Sequence, residues 1–208
     1  ACHKFSRKSI EEKRLKIFLN KNTKDLEKIL SLAGAKDISK ELSNGRGDVE
    51  GVPHISKNSE IFAQENGLEI TVLRGEELLK EGFRLMHAVA EPQELAIFVN
   101  IKYQGNPDSD KWLAYVGKGV CFDSGGLNIK SSNFYFILAD GMKDMFLDKC
   151  GAVSIFSAFQ QIVYEKLKVN LTISLGFVEN FLGSVSYRPT DIIKSRKGIT
   201  VEIGNTDA

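Results

Sequence analysis

The sequence predicts an α/β protein with a mostly parallel sheet and flanking helices. Three observations carry this. Apolar residues recur at helical spacing over 150–167. Short apolar runs rich in β-branched residues lie at 94–103, 111–116 and 171–178. The two kinds of segment alternate along the chain. The length suits one large domain or two small ones.

Taken in order, residues 9–43 read as mostly helical. Leu15, Phe18 and Leu19, then Leu26, Ile29 and Leu30, are spaced helically among charges, with Gly34 a candidate interruption. Residues 44–48 break the pattern, and Gly51-Val52-Pro53 extends the break. A short helix is expected at 59–66, with Ser59 as N-cap and Gly67 at its C-terminal end. Residues 68–73 read as a strand, and 76–80 as a helix ended by Gly82. A strand at 94–103 and a turn-rich loop at 104–110 precede the run at 111–116, apolar enough for a strand buried on both faces. Val153, Phe156, Phe159, Ile162 and Val163 form one stripe of a helix. A strand follows at 171–178, and 191–195 with 199–203 flank Arg196-Lys197-Gly198 as a hairpin.

Composition narrows the functional classes. The 208 residues carry a net charge of +1, with 42% hydrophobic and 26% charged residues, as in an ordinary globular protein. That balance gives no electrostatic reason to expect nucleic acid or an anionic membrane as partner. The lysine-rich stretch 4–28 is interrupted by Glu11, Glu12, Asp25 and Glu27, so it reads as a solvated helix. No apolar run approaches the roughly 18 residues that span a bilayer. Cys2, Cys121 and Cys150 are odd in number and lack framework spacing, which favours a reducing, cytoplasmic setting. The triplet Asn170-Leu171-Thr172 matches a glycosylation sequon but opens an apolar strand, so a structural role is expected. His3, His54 and His87 sit in no ligand spacing.

The densest chemistry lies at 115–130, YVGKGVCFDSGGLNIK, where Lys118, Asp123 and Lys130 stand among four glycines after an apolar run. A buried charge without a partner costs several kcal/mol, so the cluster implies mutual ion pairing or a bound ion. In open α/β sheets, ligands collect beyond the carboxyl ends of strands. Polar groups follow three expected strand ends here: the 118–123 turn, Glu179 with Asn180, and Asp207. Asp123, Asp148 and Asp207 are hard oxygen donors that repel one another unless a cation bridges them. Lys118, if neutral, could reach the same ion as Asp123 across a glycine-rich turn. A plain Lys118–Asp123 ion pair fits the spacing as well. Lys130 could stay charged and polarise a carbonyl or stabilise an oxyanion. Gly117-Lys118-Gly119 lacks the spacing of a phosphate-binding loop.

The segment 117–130, GKGVCFDSGGLNIK, closely resembles the signature of the leucyl (cytosol) aminopeptidase family, the two-metal exopeptidases. Asn205-Thr206-Asp207-Ala208 resembles the start of that family's Asn-Thr-Asp-Ala-Glu-Gly-Arg motif. Tyr187-Arg188-Pro189-Thr190-Asp191 and Val178-Glu179-Asn180 are similar to intervening segments, with Thr190 where glycine is usual. The likeness runs from about Leu42 onward. It implies that residues 1–90 are the remnant of an N-terminal α/β domain with its linker helix, and that residues 91–208 are the first part of a metallo-aminopeptidase catalytic domain, the start of a mixed, mostly parallel sheet with flanking helices. It also implies roles: Lys118 as ligand of the tighter metal, Asp123 shared by both metals, Asp207 on the more exchangeable one, and Lys130 as the electrophilic lysine. Met142-Lys143-Asp144-Met145-Phe146-Leu147-Asp148 fits a Met-x-x-Met-x-x-Asp pattern, which implies Asp148 as a ligand and Met145 as part of the substrate pocket.

The resemblance implies hydrolysis of N-terminal residues, leucine-like preferred, from peptides by water activated at two divalent ions (zinc or manganese, with magnesium or cobalt as options). It further implies a homo-oligomer, a hexamer at full length. Three departures stand out. Lys149-Cys150 replaces the usual Met-Gly. The connection from Lys130 to Met142 is long and carries the apolar stretch 134–138. The motif's Glu and Arg do not follow Ala208. The chain is therefore expected to be an incomplete portion of such an enzyme. The alternative is a non-catalytic structural or regulatory relative.

Overall fold

In a computed structural model describing residues 26–47, 51–130 and 142–208, four strands form one sheet. They are β1 (Glu69–Arg74), β2 (Ile97–Gln104), β3 (Leu113–Asp123) and β4 (Asn170–Asn180), in spatial order β1-β2-β4-β3. Strand periodicity explains its central member. Leu171, Ile173, Leu175 and Phe177 alternate along β4 and are all buried on one face. That face meets α2 (Val52–Glu65) and α5 (Cys150–Tyr164), whose stripe buries Val153, Phe156 and Phe159. Phe62 of α2 packs edge-on against Phe156 and Phe159, at 5.7 and 6.2 Å between ring centroids. The opposite face carries α3 (Glu76–Lys80) and α4 (Arg84–Val89) over Val120 and Val178. A hairpin, β5 (Ile192–Lys194) with β6 (Thr200–Glu202), packs Ile193 and Ile203 against Ala88 of α4.

The α/β class and the mixed sheet with flanking helices are as expected; the balance of directions is not. β3 and β4 are parallel, joined through α5, but β1–β2 and β2–β4 are antiparallel. The expectation of a mostly parallel sheet took every intervening helix as a crossover. The short α3 and α4 instead cover one face while the chain turns back. β1 hydrogen-bonds to β2 along its whole length, so one sheet contains strands from both sides of residue 90.

Other elements differ in detail. The helix expected at 59–66 begins at Val52, because Pro53 fits a first helical turn, where its missing N–H has no partner to lose. Ser59 lies inside that helix, its hydroxyl donating to Ile55 O at 3.0 Å, while Gly67 ends it with φ 62°. A single-turn 3₁₀ helix occupies Gln93–Leu95, and β2 starts only at Ile97. Of the expected helix at 9–43, α1 (Leu26–Asn44) runs unbroken through Gly34; residues 9–25 lie outside the described residues, as does the stretch 134–138. Asn170 is buried, accepting from Asn106 N at 2.9 Å and donating to Ser109 O at 2.6 Å, which closes the 104–110 loop. Among the described residues, no helix is long and apolar enough to cross a membrane.

The largest local difference is at β3. The expected strand at 111–116 and the expected turn at 118–123 are one strand, Leu113–Asp123. Its glycines serve close approach. A Cβ on Gly117 would lie 2.6 Å from Ala152 Cα, and one on Gly119 would lie 2.5 Å from Phe177 Cδ1 and 2.6 Å from Gly176 O. Burial on both faces also fails for the first half, since Leu113, Tyr115 and Val116 are exposed along the outer edge.

Candidate functional site

Lys118 and Asp123 are separated by an odd number of steps, so an undisturbed pleat would send them to opposite faces. The register with β4 shifts between Val120 and Phe122, leaving Cys121 as an extra residue. Lys118 is then opposite Gly176 and Asp123 opposite Asn180, positions of like parity on β4. The bulge thus returns both side chains to one face at the carboxyl ends of two parallel strands.

Asp123 is almost fully buried. Its Oδ1 accepts from Gly125 N at 2.9 Å and from Asn180 Nδ2 at 2.7 Å, and its Oδ2 lies 3.2 Å from Lys130 Nζ. Burial pushes its carboxyl up, but the donors at Gly125, Asn180 and Lys130 outweigh this and hold it below the usual carboxylate range. Lys130 also pairs with Asp207, carried by the segment after β6. Partial burial pushes the Lys130 ammonium down, but its bonds to Asp207 and Asp123 raise it. Lys118 pairs with Asp148 rather than Asp123, at 2.9 Å from Asp148 Oδ2. That oxygen is buried and has no aligned hydrogen-bond donor. Burial raises the Asp148 carboxyl, offset in part by Lys118.

Lys118, Asp123, Lys130, Asp148 and Asp207 are thus joined in two ion-paired groups, Lys118–Asp148 and Asp123–Lys130–Asp207. The donor types suit divalent cations: three carboxylates, one of them with an oxygen satisfied by charge alone, and an amine. Among the described residues, no three His, Cys, Asp or Glu side chains are gathered closely enough to hold an ion. Lys118 pairs with Asp148 alone, while Lys130 lies between Asp123 and Asp207. Met145 opens a single 3₁₀ turn, Met145–Leu147, just before Asp148 and is half-buried. An apolar groove of about 340 Å³ adjoins Lys118, lined by Phe83, Met86, Val116 and Val178 among others; Met145 is not among its lining residues.

Two residues without an expected role shape the site. Asn180, in the sequence a polar group past a strand end within a family-like segment, is buried and bonds to Asp123 and to Thr206 O, the latter at 2.5 Å. Lys149, noted only as a departure, is fully buried beside Asp148 and donates to Gly45 O at 2.5 Å, tying this segment to the end of α1. Neither follows from local sequence, because each partner is remote along the chain.

The catalytic domain of the cytosol aminopeptidase family matches residues 38–208. A probable cytosol aminopeptidase of Phytoplasma australiense is 34% identical over 212 residues, covering 99% of this chain and 41% of its own length. One of Syntrophotalea carbinolica is 37% identical, covering 82% of this chain and 33% of its own length. The leucine aminopeptidase of Caenorhabditis elegans superposes with a TM-score of 0.81 at 29% identity, over 98% of this chain and 42% of its own. The bottromycin maturation enzyme BotP, solved in complex with Mn, gives a TM-score of 0.74 at 28% identity, over 86% of this chain and 37% of its own. The chain therefore spans less than half the length of these relatives. Family match, sequence identity and fold agree, and the chain belongs to the cytosol aminopeptidase family.

Proposed function

We propose that this chain is part of a metal-dependent aminopeptidase that releases N-terminal residues, leucine-like preferred, from peptides. The observation that carries the reading is the convergence of Asp123, Asp148 and Asp207 with Lys118 and Lys130 at the strand ends of a family member. Lys118, Asp123, Asp148 and Asp207 would hold two divalent ions, zinc or manganese, with magnesium or cobalt as options. Such ions, when bound, would supply Lewis acidity toward a peptide carbonyl and an acidified water. Lys130 would then leave its carboxylates and present its ammonium to the developing oxyanion. The apolar groove beside Lys118 supports the preference for an apolar first side chain. Met145 is proposed to border that side chain from the Asp148 segment. Peptide substrates, a homo-oligomeric assembly and a cytoplasmic setting complete the reading.

The absence of a three-ligand cluster among the described residues favours a second reading, a non-catalytic relative that keeps the fold. The deciding experiment expresses the longer protein that carries this chain, supplies it with Mn²⁺ or Zn²⁺, and compares leucine amide with N-acetyl-leucine amide. Release of leucine from the free amine alone, reduced at least ~100-fold by Asp123→Asn, is expected from the loss of transition-state charge stabilisation. Metal-independent turnover, turnover of the blocked substrate, or none at all would reject the aminopeptidase reading.

A further inference from the structure

Asn180 has the features of an internal spacer. Its side chain is buried, and its amide bonds to two segments that are remote from each other along the chain. Nδ2 donates to Asp123 Oδ1 at 2.7 Å and to Thr206 O at 2.5 Å, while Oδ1 accepts from Thr206 Oγ1 at 3.3 Å. The backbone of Asn180 is held equally firmly. Its carbonyl accepts from Ser124 N at 2.9 Å and Ser124 Oγ at 2.7 Å. On the other side, Glu91 N donates to Glu179 O at 2.8 Å and Phe181 N donates to Glu91 O at 3.3 Å. A side chain on Gly126 would enter this junction, with a Cβ 3.0 Å from Asn180 Oδ1 and against Thr206.

The chemistry of an amide explains the choice of residue. A carboxylate rotates about its terminal bond at little cost. Two donors on Asp123 Oδ1, from Gly125 N and Asn180, fix its plane and leave Oδ2 turned toward Lys130. The same Nδ2 fixes the carbonyl one residue before Asp207. An aspartate in this place could not donate and would add charge to a site already holding three carboxylates. An apolar residue would leave both acceptors unsatisfied, at about 1–3 kcal/mol each.

We propose that Asn180 is a positioning residue that sets the spacing between Asp123 and Asp207, and through it the affinity of this site for a divalent cation. The part concerning the cation rests on the aminopeptidase reading; the part concerning spacing does not.

The test compares the native chain with Asn180→Ala, the isosteric Asn180→Asp, and Phe159→Leu as a variant that weakens the core elsewhere. Without metal, amide hydrogen exchange at Gly125, Gly126 and Asp207 is expected to quicken at least tenfold in both Asn180 variants, relative to amides of the β1–β2 pair. In Phe159→Leu all these amides should shift together. With Mn²⁺, titrated by the paramagnetic signal of the free ion, Asn180→Ala is expected to raise the Kd at least tenfold, while Phe159→Leu leaves it unchanged. Unaltered exchange in the Asn180 variants, or a native Kd in Asn180→Ala, would overturn the inference. If the native chain itself does not take up Mn²⁺, the aminopeptidase reading is damaged and the exchange comparison still decides the spacing role. If Asn180→Ala does not fold, Asn180→Asp carries the exchange measurement, because it keeps the shape while removing the donor and adding a charge that also opposes the Asp123 contact.

Discussion

Thr190 has φ 76°, a conformation in which a β-branched side chain crowds its own backbone, and its N–H is committed to Ile203 O at 2.8 Å. Glycine meets no such conflict. Thr190→Gly should therefore raise stability by about 1 kcal/mol, less the entropy glycine adds to the unfolded chain. Chemical denaturation checks this, and a fall in stability would mean that the threonine side chain makes a compensating contact. Acid sensitivity belongs to the same scale. Asp123 titrates below its ordinary value in the folded chain, so its pairing contributes above the unfolded pKa of about 3.9 and is lost as pH falls through the lower, folded one. Lys130 titrates above its ordinary value, so its contribution is complete below about pH 10.4 and fades only at higher pH. Asp148 and Glu179, raised by burial, act in the opposite sense. The difference between native and Lys130→Met isolates the first pair. In metal-free urea titrations, that difference should be constant from pH 6 to 9 and shrink below about pH 4. A difference that grows in acid would contradict the assignment.

β3 shows how one element serves both packing and chemistry. Its glycines admit α5 and β4 so closely that an added methyl group meets backbone atoms. Gly117→Ala and Gly119→Ala should each cost about 2 kcal/mol, read as a lower denaturation midpoint with an unchanged slope. A neutral result at Gly117 would show that α5 can withdraw, and one at Gly119 that Phe177 and the β4 backbone can give. The same glycines explain what was legible beforehand. Glycine is an ambiguous sign, marking turns by its free φ and tight contacts by its missing side chain. Here the second use looked like the first, and an 11-residue strand was divided into a strand and a turn. Pro53 misled in a similar way, since proline breaks a helix interior but suits a first turn. β4, α5 and the β5–β6 hairpin, each with a strong period or turn, were readable to within a few residues. Of the charged residues expected at the site, the structure shows the ion pairing, and that pairing was not legible in the sequence. Whether Lys118 meets Asp123 or Asp148 depends on a bulge at Cys121 and on strand order, and neither is written locally.

Over the whole molecule, the outer edge of β3 has no partner among the described strands, and it carries Leu113, Tyr115 and Val116, the last 80% exposed. Open, apolar strand edges pair with other chains. The 208-residue chain on its own should self-associate through this edge, and Val116→Lys should suppress that association at little cost to stability. Sedimentation at several protein concentrations would show it; undiminished association in the variant would place the contact elsewhere. The edge lies in a chain that covers 41% of its Phytoplasma relative, so its partner in a longer protein is a matter for the same measurement on that protein.

The junction at Asn180 also bears on the order of folding. Asp123 and Asn180 are 57 residues apart, and Lys130 and Asp207 are 77 apart. Contacts of such separation close late, after helices and hairpins have formed, because loop entropy must first be overcome. The charged cluster should be among the final parts to assemble. During synthesis, carboxylates that repel one another would then stay apart until the hydrophobic layers have already fixed where they must meet.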